Sequence, residues 1–396
     1  VKDFKEKILD WAKQIKWFPS YGIHHLINWT KNLEWDWVIS RQRYFGTPIP
    51  FWYCRSCKKW FPANKDELPV DPRIEKKACP ICGEDMLGEK DVCDCWVDSS
   101  ISPLVISRWE EDSEFFRRIY PVSLRPQGYE IIRTWAFYTI FRSSLLTGKV
   151  PFREILLNAN VLDPKGKKMS KSKGLGDLNY ILSLVPPEVL KYFLFRGDLE
   201  ENKNFKDDPR FLLSLYEEFR NVGLIFEKKA EVKEAGLAKK VHAYMLASES
   251  EKASLHVSFT DVLVIYQIYG DWKVVKEKLG FPREIDNLRT YVENWVRLDI
   301  IPREYRVKFN PTPISKHVNV VRSFAEKLRE DMKDIEIHNL VYEVARQYNV
   351  NPKELFKVLY EALLGQPYGP RLGRLIVAIG VSKVKETLLK LTENNI

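Results

Sequence analysis

Sulfur and long apolar runs are scarce in these 396 residues. There are four methionines and six cysteines, and every cysteine precedes Trp96. A disulfide-stapled secreted domain is rich in cysteine throughout, so that class is excluded and a reducing, cytoplasmic setting is expected. The longest apolar stretches, such as Arg374–Val381, are far too short to span a bilayer, so no membrane partner is expected. The opening residues, Val-Lys-Asp-Phe-Lys-Glu-Lys, contain no apolar signal core. They also lack an initiating Met, which points to a fragment or a processed chain. No repeat of fixed period and no low-complexity tract breaks the sequence.

What is present is an ordinary globular mixture, 45% hydrophobic and 30% charged, long enough for two or three domains. The net charge of +9 favours an acidic partner, and nucleic acid is the usual one, because Lys and Arg release condensed counterions from phosphates. Composition shifts along the chain. Ten of the twelve tryptophans fall in the first 150 residues. The last 170 carry two Trp, no Cys and long stretches of helical spacing, so a join is expected soon after Gly174.

Residues 1–34 read as mostly helical, with Phe4, Ile8, Leu9, Trp11, Ala12 and Ile15 tracing one face. Residues 47–92 are rich in Pro, Cys and charge. Pro121–Leu124 reads as a strand, Tyr129–Leu146 as an apolar helix and Glu154–Leu162 as a second strand. That succession is a βαβ unit, hence a parallel pair with right-handed crossover. Asp163-Pro164-Lys165-Gly166 then signals a tight turn. Pro186-Pro187-Glu188 is a helix start, and helices are expected from there onward.

Two motifs carry chemistry. Cys54-x-x-Cys57 and Cys79-x-x-Cys82, 21 residues apart, supply four thiolates at the spacing of a structural zinc site, with Gly83 easing the second knuckle. A redox pair or two local disulfides would be the alternatives; Cys93 and Cys95 are expected to be core thiols. Lys168-Met169-Ser170-Lys171-Ser172, then Lys173-Gly174, lies past the turn and ahead of a helix. Ammonium and hydroxyl groups on one loop can wrap a triphosphate and stabilise charge on departing pyrophosphate. A solvated basic loop is the plainer reading.

That pentapeptide resembles the KMSKS signature of class I aminoacyl-tRNA synthetases. Asp36–Pro50 is similar to the stretch before the zinc ribbon in the valyl, isoleucyl and leucyl group. Asp91–Ser100 resembles the segment that returns to the catalytic domain, and Arg125–Trp135 resembles archaeal-type valyl enzymes. Together these cover roughly residues 17–175. The resemblance implies activation of an amino acid by ATP, with its Mg2+, and transfer to tRNA, without a demanded side-chain acid or base. It assigns Lys168 and Lys171 to pyrophosphate, with Ser170 and Ser172 in the same loop. Gly128 would admit adenosine, Glu130 would hold ribose hydroxyls, and Asn158 and Met169 would flank the adenine. A turn glycine and a helix-start charge are the plainer readings of Gly128 and Glu130.

Three departures stand beside it. The second signature of class I enzymes, HIGH, is missing; Pro19–His25 has the wrong order and no strand is expected before it. Lys173–Asp177 replaces the Asn that follows the KMSKS glycine in the family. The tail, Pro186–Arg196, Asn204-Phe205 and above all Leu363–Gly373, resembles class I lysyl-tRNA synthetases, in which it forms a helical cage meeting the anticodon. Gly369-Pro370-Arg371 is then either a cap between helices or a tRNA contact.

The expected fold class is an α/β Rossmann-type catalytic portion (its second half) with a zinc ribbon, followed by an all-α anticodon-binding-type domain. The expected divisions are a helical and connective segment 1–52, the ribbon 53–92 and the catalytic half 93–175. Stem-contact helices 176–230 and a helical domain 231–396 follow. Valine is the expected amino acid, with lysine as alternative, and a second chain carrying the HIGH half is an expected partner. A non-catalytic tRNA-binding paralogue and a zinc-ribbon nucleic-acid adaptor are the competing readings.

Overall fold

The computed structural model describes residues 1–169, 177–228, 235–248 and 256–393. The chain divides into two compact units, Val1–Asn160 with Leu199–Asn202, and Val161–Asp198 with Lys203–Ile396.

The first unit begins with α1 (Lys5–Lys13), β1 (Lys16–Phe18) and α2 (Ile23–Lys31). Ile8, Leu9 and Ala12 of α1 are buried, as the helical spacing requires. The strand is a departure from the expected helix. Three residues are too few to show alternation, and β1 exists because a neighbour pairs with it. Next come β2 (Ser40–Arg41), β3 (Phe51–Cys54), β4 (Lys59–Pro62), β5 (Leu87–Gly88) and β6 (Val92–Cys93). Helices α3 (Cys95–Ser99), α4 (Ser102–Ile106) and α5 (Ser113–Ile119) lead to β7 (Val122–Gly128). Asp94 and Asp112 cap α3 and α5 by accepting backbone N–H bonds. A 3-10 turn and a π turn precede α6 (Phe137–Thr147), which stops at left-handed Gly148, and β8 (Phe152–Asn158) follows.

Three strands form a parallel sheet in the order β1-β8-β7. Its inner face packs Ile155 and Leu157 against Ile8, Leu26, Ile132, Phe137 and Ile140. Two smaller antiparallel sheets, β4-β3-β5 and β2-β6, occupy the segment between β1 and β7. The expected single strand over 154–162 is broken after Asn158. The Ala159 N–H turns to the Leu199 carbonyl (2.9 Å) and the Asn160 N–H to Asn202 Oδ1 (3.0 Å). These bonds take the chain out of the sheet.

The second unit has β9 (Val161–Leu162), α7 (Leu178–Leu184), α8 (Pro187–Phe195) and β10 (Lys203–Asn204), with β9 and β10 paired in parallel. Then come α9 (Pro209–Glu227), α10 (Ala235–Ala247), α11 (Phe259–Tyr269), α12 (Trp272–Leu279) and α13 (Pro282–Arg297). The last five are α14 (Val318–Lys327), α15 (Asp334–Gln347), α16 (Pro352–Leu364), α17 (Leu372–Ile379) and α18 (Val381–Glu393). Their starts are chemically marked: Asp177, Asp208, Ser258, Asp271 and Asn351 cap with their side chains, and Pro209, Pro282 and Pro352 sit in first turns. One apolar core runs through the unit, with Tyr216, Phe259 and Trp295 fully buried. The Trp295 indole N–H and the Tyr216 hydroxyl both donate to the Leu184 carbonyl, at 2.9 and 3.1 Å. The division at Asn160 lies ahead of the join read after Gly174, because Val161 and Met169 pack on this helical core.

Candidate functional site

The carboxyl ends of parallel strands are where open α/β sheets take ligands. In the first unit β7 ends at Gly128, followed by the turn Tyr129–Ile131, and β8 ends at Asn158. The Glu130 carboxylate leans over Gly128, where an added Cβ would collide with it. Asn158 is exposed, with its amide 3.3 Å from the Ala159 carbonyl. The structure therefore brings Gly128, Glu130 and Asn158 to one edge of one sheet.

The same edge receives a segment that the sequence reading set aside. β1 runs into Pro19–Gly22 and then α2, so a strand does precede Pro19–His25, contrary to expectation. Gly22 presses α2 onto the sheet; a Cβ there would overlap the Leu157 side chain. The Tyr129 hydroxyl bonds the Tyr21 hydroxyl at 3.1 Å, and the His25 ring meets the Tyr129 ring edge-on at 5.5 Å. Burial, then the Tyr21 bond, raises the Tyr129 phenol above its ordinary range. The signal was available as a Trp-Phe-Pro followed by Tyr-Gly, but a three-residue strand gives periodicity nothing to detect.

Just inside that edge, Arg125 and Gln127 occupy core-facing positions of β7, 6% and 4% exposed. The Arg125 guanidinium lies over the Trp135 ring at 3.0 Å and the Phe152 ring at 4.9 Å. Burial pushes its pKa down to about 9.

In the second unit, β9 leads into the predicted turn. The Asp163 carboxylate accepts the Lys165 and Lys167 N–H groups at 2.9 and 2.8 Å, and Gly166 takes φ +74°. Lys168 bridges back to Leu162, and the Met169 N–H donates to the Val161 carbonyl at 3.0 Å. Met169 packs on the helical core. Ser170, Lys171 and Ser172 lie outside the described residues.

The four paired cysteines converge. All four Sγ atoms lie within 4.8 Å of one another, with Cys54–Cys82 at 3.5 Å and Cys57–Cys79 at 3.8 Å. Ligands of tetrahedral zinc at a Zn–S distance of about 2.3 Å stand ~3.8 Å apart, so the donor set fits that ion. The Cys57 and Ile81 N–H groups point at Cys54 and Cys79 sulfur, at 3.3 and 3.4 Å, as knuckles require. Gly83 takes φ +75° at the second knuckle.

Cys93 and Cys95 are not the core thiols expected: Cys93 is half-buried and Cys95 exposed. Asp94 caps α3 between them, which turns the chain outward before Cys95 can enter a core. Both line a cavity of about 380 Å³ with Arg41, Thr47, Asp94 and Asp98. Burial raises both thiols, so neither is an activated nucleophile. Around the cavity, Trp37 stacks on Tyr138 at 3.8 Å and donates to Asp94 at 3.1 Å; Arg41 also binds Asp94, and the Thr47 hydroxyl donates to Asp98 at 2.9 Å. These partners lie from about fifty to about a hundred residues apart, so the sequence alone did not pair them.

Residues 1–206 match the family described as tRNA synthetases class I (I, L, M and V). The valine--tRNA ligase of Pyrococcus abyssi is 51% identical over 184 residues, covering 44% of this chain and 20% of its own length. That of Methanocaldococcus jannaschii is 50% identical over 175 residues, 44% of this chain and 20% of its own. That of Archaeoglobus fulgidus is 50% identical over 196 residues, 49% and 21% respectively. The chain thus spans about a fifth of the length of the curated relatives it matches. A solved LeuRS of Agrobacterium radiobacter K84, in a ternary complex with tRNA and LeuAMS, overlays 91% of this chain and 41% of its own. Its TM-score is 0.41 at 19% identity, too loose to carry an assignment. With more than half of its residues matched, the chain belongs to the class I tRNA synthetases of the I, L, M and V group.

Proposed function

We propose that this chain is the ATP-side portion of a valine-type aminoacyl-tRNA synthetase, activating valine with ATP and passing it to tRNA. The observation that carries this is the identity of about one residue in two with archaeal valine--tRNA ligases, over 184 residues in one and 175 in another. Lysine and a second chain gain no support from these matches, so the reading takes valine.

Gly128 and Glu130 are assigned to the nucleoside, Glu130 through the ribose hydroxyls, and Asn158 and Met169 to the adenine. Lys168 and Lys171, with Ser170 and Ser172, are assigned to the triphosphate, which Mg2+ accompanies. Preorganised charge near departing pyrophosphate and correct placement of the carboxylate are sufficient for such a reaction. The cavity beside Thr47 and Asp98 is of amino-acid size and offers a carboxylate for an ammonium group. Cys54, Cys57, Cys79 and Cys82 are assigned to a structural zinc ion, which would fix the ribbon and supply no step of the reaction. A cytoplasmic location goes with these reduced thiols.

ATP–pyrophosphate exchange on the purified chain, with valine and lysine supplied separately, tests the reading. Exchange with valine supports it, and exchange with lysine replaces the substrate. If the protein is folded and holds zinc but exchanges with neither, a self-sufficient enzyme is ruled out. That outcome leaves a portion that needs the rest of the catalytic half, or a tRNA-binding paralogue.

A further inference from the structure

The inner face of the parallel sheet carries a positive charge on which no acid among the described residues acts. Arg125 and Gln127 stand two residues apart on β7, so both side chains leave the same face, with Cα atoms roughly 6.6 Å apart. Their partners across the ladder are Ile155 and Leu157, both fully buried in the apolar core. Arg125 Nε and Nη2, and both amide atoms of Gln127, are buried without a hydrogen-bonding partner among the described residues. A buried charge without counter-charge and a buried amide without partners are each strongly unfavourable, so native structures rarely keep them so.

Trp135 and Phe152 lie against the guanidinium, and Trp135 is fixed by its indole N–H, which donates to the Ser99 carbonyl at 3.0 Å. Ring contacts of this kind engage the flat face of the cation and leave its in-plane N–H groups to donate. Nε and Nη2 form one edge of the guanidinium, a fork whose two parallel N–H bonds match the oxygens of a planar carboxylate. The same edge does this elsewhere in the chain. Arg73 meets Asp71 with Nε and Nη2 at 2.9 and 2.7 Å, and Arg210 meets Glu304 at 2.6 and 3.0 Å. The surroundings select further. Phe152, Ile155 and Leu157 have no side-chain donors, so a tetrahedral dianion such as phosphate would bury unpaired oxygens and excess charge. A halide has no second atom for the fork. Gln127 presents a donor and an acceptor, and the acceptor requires a hydrogen on the ligand. Bicarbonate carries that hydrogen on a planar, singly charged frame, whereas formate has the frame alone.

We propose that Arg125 and Gln127 bind a small planar oxoanion of the bicarbonate type. Two of its oxygens accept from Arg125 Nε and Nη2, and its hydroxyl donates to Gln127 Oε1. Neither residue lines the cavity beside Asp98 or is among those assigned to ATP, so the proposal stands apart from the synthetase reading.

Equilibrium dialysis of the full chain against radiolabelled bicarbonate and radiolabelled formate, at constant ionic strength in chloride, tests this. Bicarbonate should bind at one equivalent, and formate roughly tenfold more weakly because it leaves Gln127 Oε1 unpaired. Arg125→Lys keeps the charge but loses the fork, and should weaken bicarbonate roughly tenfold or more. Gln127→Glu sets a carboxylate of the same shape beside Arg125, so the counter-charge comes from the chain itself. That variant should bind no bicarbonate and should melt at a higher temperature than wild type, a gain that loss of a merely structural amide would not give. Circular dichroism checks folding, and either variant decides alone if the other fails to fold. The proposal is overturned if wild type binds neither anion, or if formate binds as tightly as bicarbonate. It is equally overturned if chloride competes as well as formate, or if the folded variants bind bicarbonate as wild type does.

Discussion

The ribbon and the helical unit are held together by different means. The ribbon's buried cluster is Trp52, Cys54, Cys79 and Met86, and two of those four are thiols of the metal-type site. The helical unit buries Tyr216, Phe219, Phe259, Phe324 and Trp295 completely, in one continuous apolar core. The first is too small to offset the entropy of its own ordering, and on the four-thiolate reading proposed above ligation would supply what burial does not. The change in composition along the chain, Trp and Cys early and helical spacing late, reflects that difference.

The largest effect expected from breaking this contrast is on the ribbon. Cys79→Ser should abolish stoichiometric zinc, because structural zinc binding contributes on the order of 10 kcal/mol that the folded ribbon depends on. Metal analysis should fall to background, and proteolysis should open residues 51–88 while the helical unit's thermal transition stays put. Zinc retained at full stoichiometry in Cys79→Ser would refute the four-thiolate site. The reciprocal experiment is Trp295→Ala. It should cost the helical unit about 3–5 kcal/mol, with zinc content unchanged. A loss below about 1 kcal/mol in urea melts would mean that the core around Leu184 collapses to fill the space.

Next comes the loop that begins at Lys168. Lys168→Ala should reduce pyrophosphate exchange roughly 10²–10³-fold, comparable to loss of one preorganised charge-stabilising donor. Zinc content and both melting transitions should stay as they were. Unchanged exchange in an active preparation would return Lys168 to the plainer reading, a solvated basic loop.

The contrast also explains what could be read from the sequence. Helices of the second unit announce themselves through Asp208 before Pro209, Asn351 before Pro352 and Gly365 after Leu364, because caps are local chemistry. α17 announces itself less: it starts at Arg371 without a side-chain cap, and its sequence stands out only as an apolar run. The cysteine pairs were legible for the same local reason as the caps. The parallel sheet was legible in part, since the strands read at Pro121–Leu124 and Glu154–Leu162 overlap β7 and β8. β1 was not, since its three residues are a strand only because β8 lies beside them. Arg125 and Gln127 also misled the pattern, being polar side chains on the core-facing side of β7. At the candidate site, Gly128 and Glu130 could be named from one stretch. Tyr21 and His25 could not, because their contact with Tyr129 spans more than a hundred residues.

The smallest effect expected is the one that resolves the helical unit most finely. His256 stands between two carboxylates, Nδ1 2.6 Å from Glu284 and Nε2 2.6 Å from Glu227, and its ring stacks on Phe281. The Glu284 bond first, then the Glu227 bond, raises the imidazole pKa above its ordinary value against an opposing effect of burial. A basic group with a raised folded pKa stabilises fully below its unfolded pKa of about 6.5 and loses that contribution as pH rises through the folded value. Wild type should therefore exceed His256→Gln in stability at pH 5.5, with the gap closing toward pH 8 and above. Because the side chain is 35% exposed, solvent screening limits the gap to about 1 kcal/mol or less. Urea melts of both proteins at four pH values measure it. A gap that widens as pH rises would show that the neutral imidazole makes the stabilising contacts. A gap independent of pH would leave only the stacking on Phe281, and the helical unit would then owe its stability to burial at this position too.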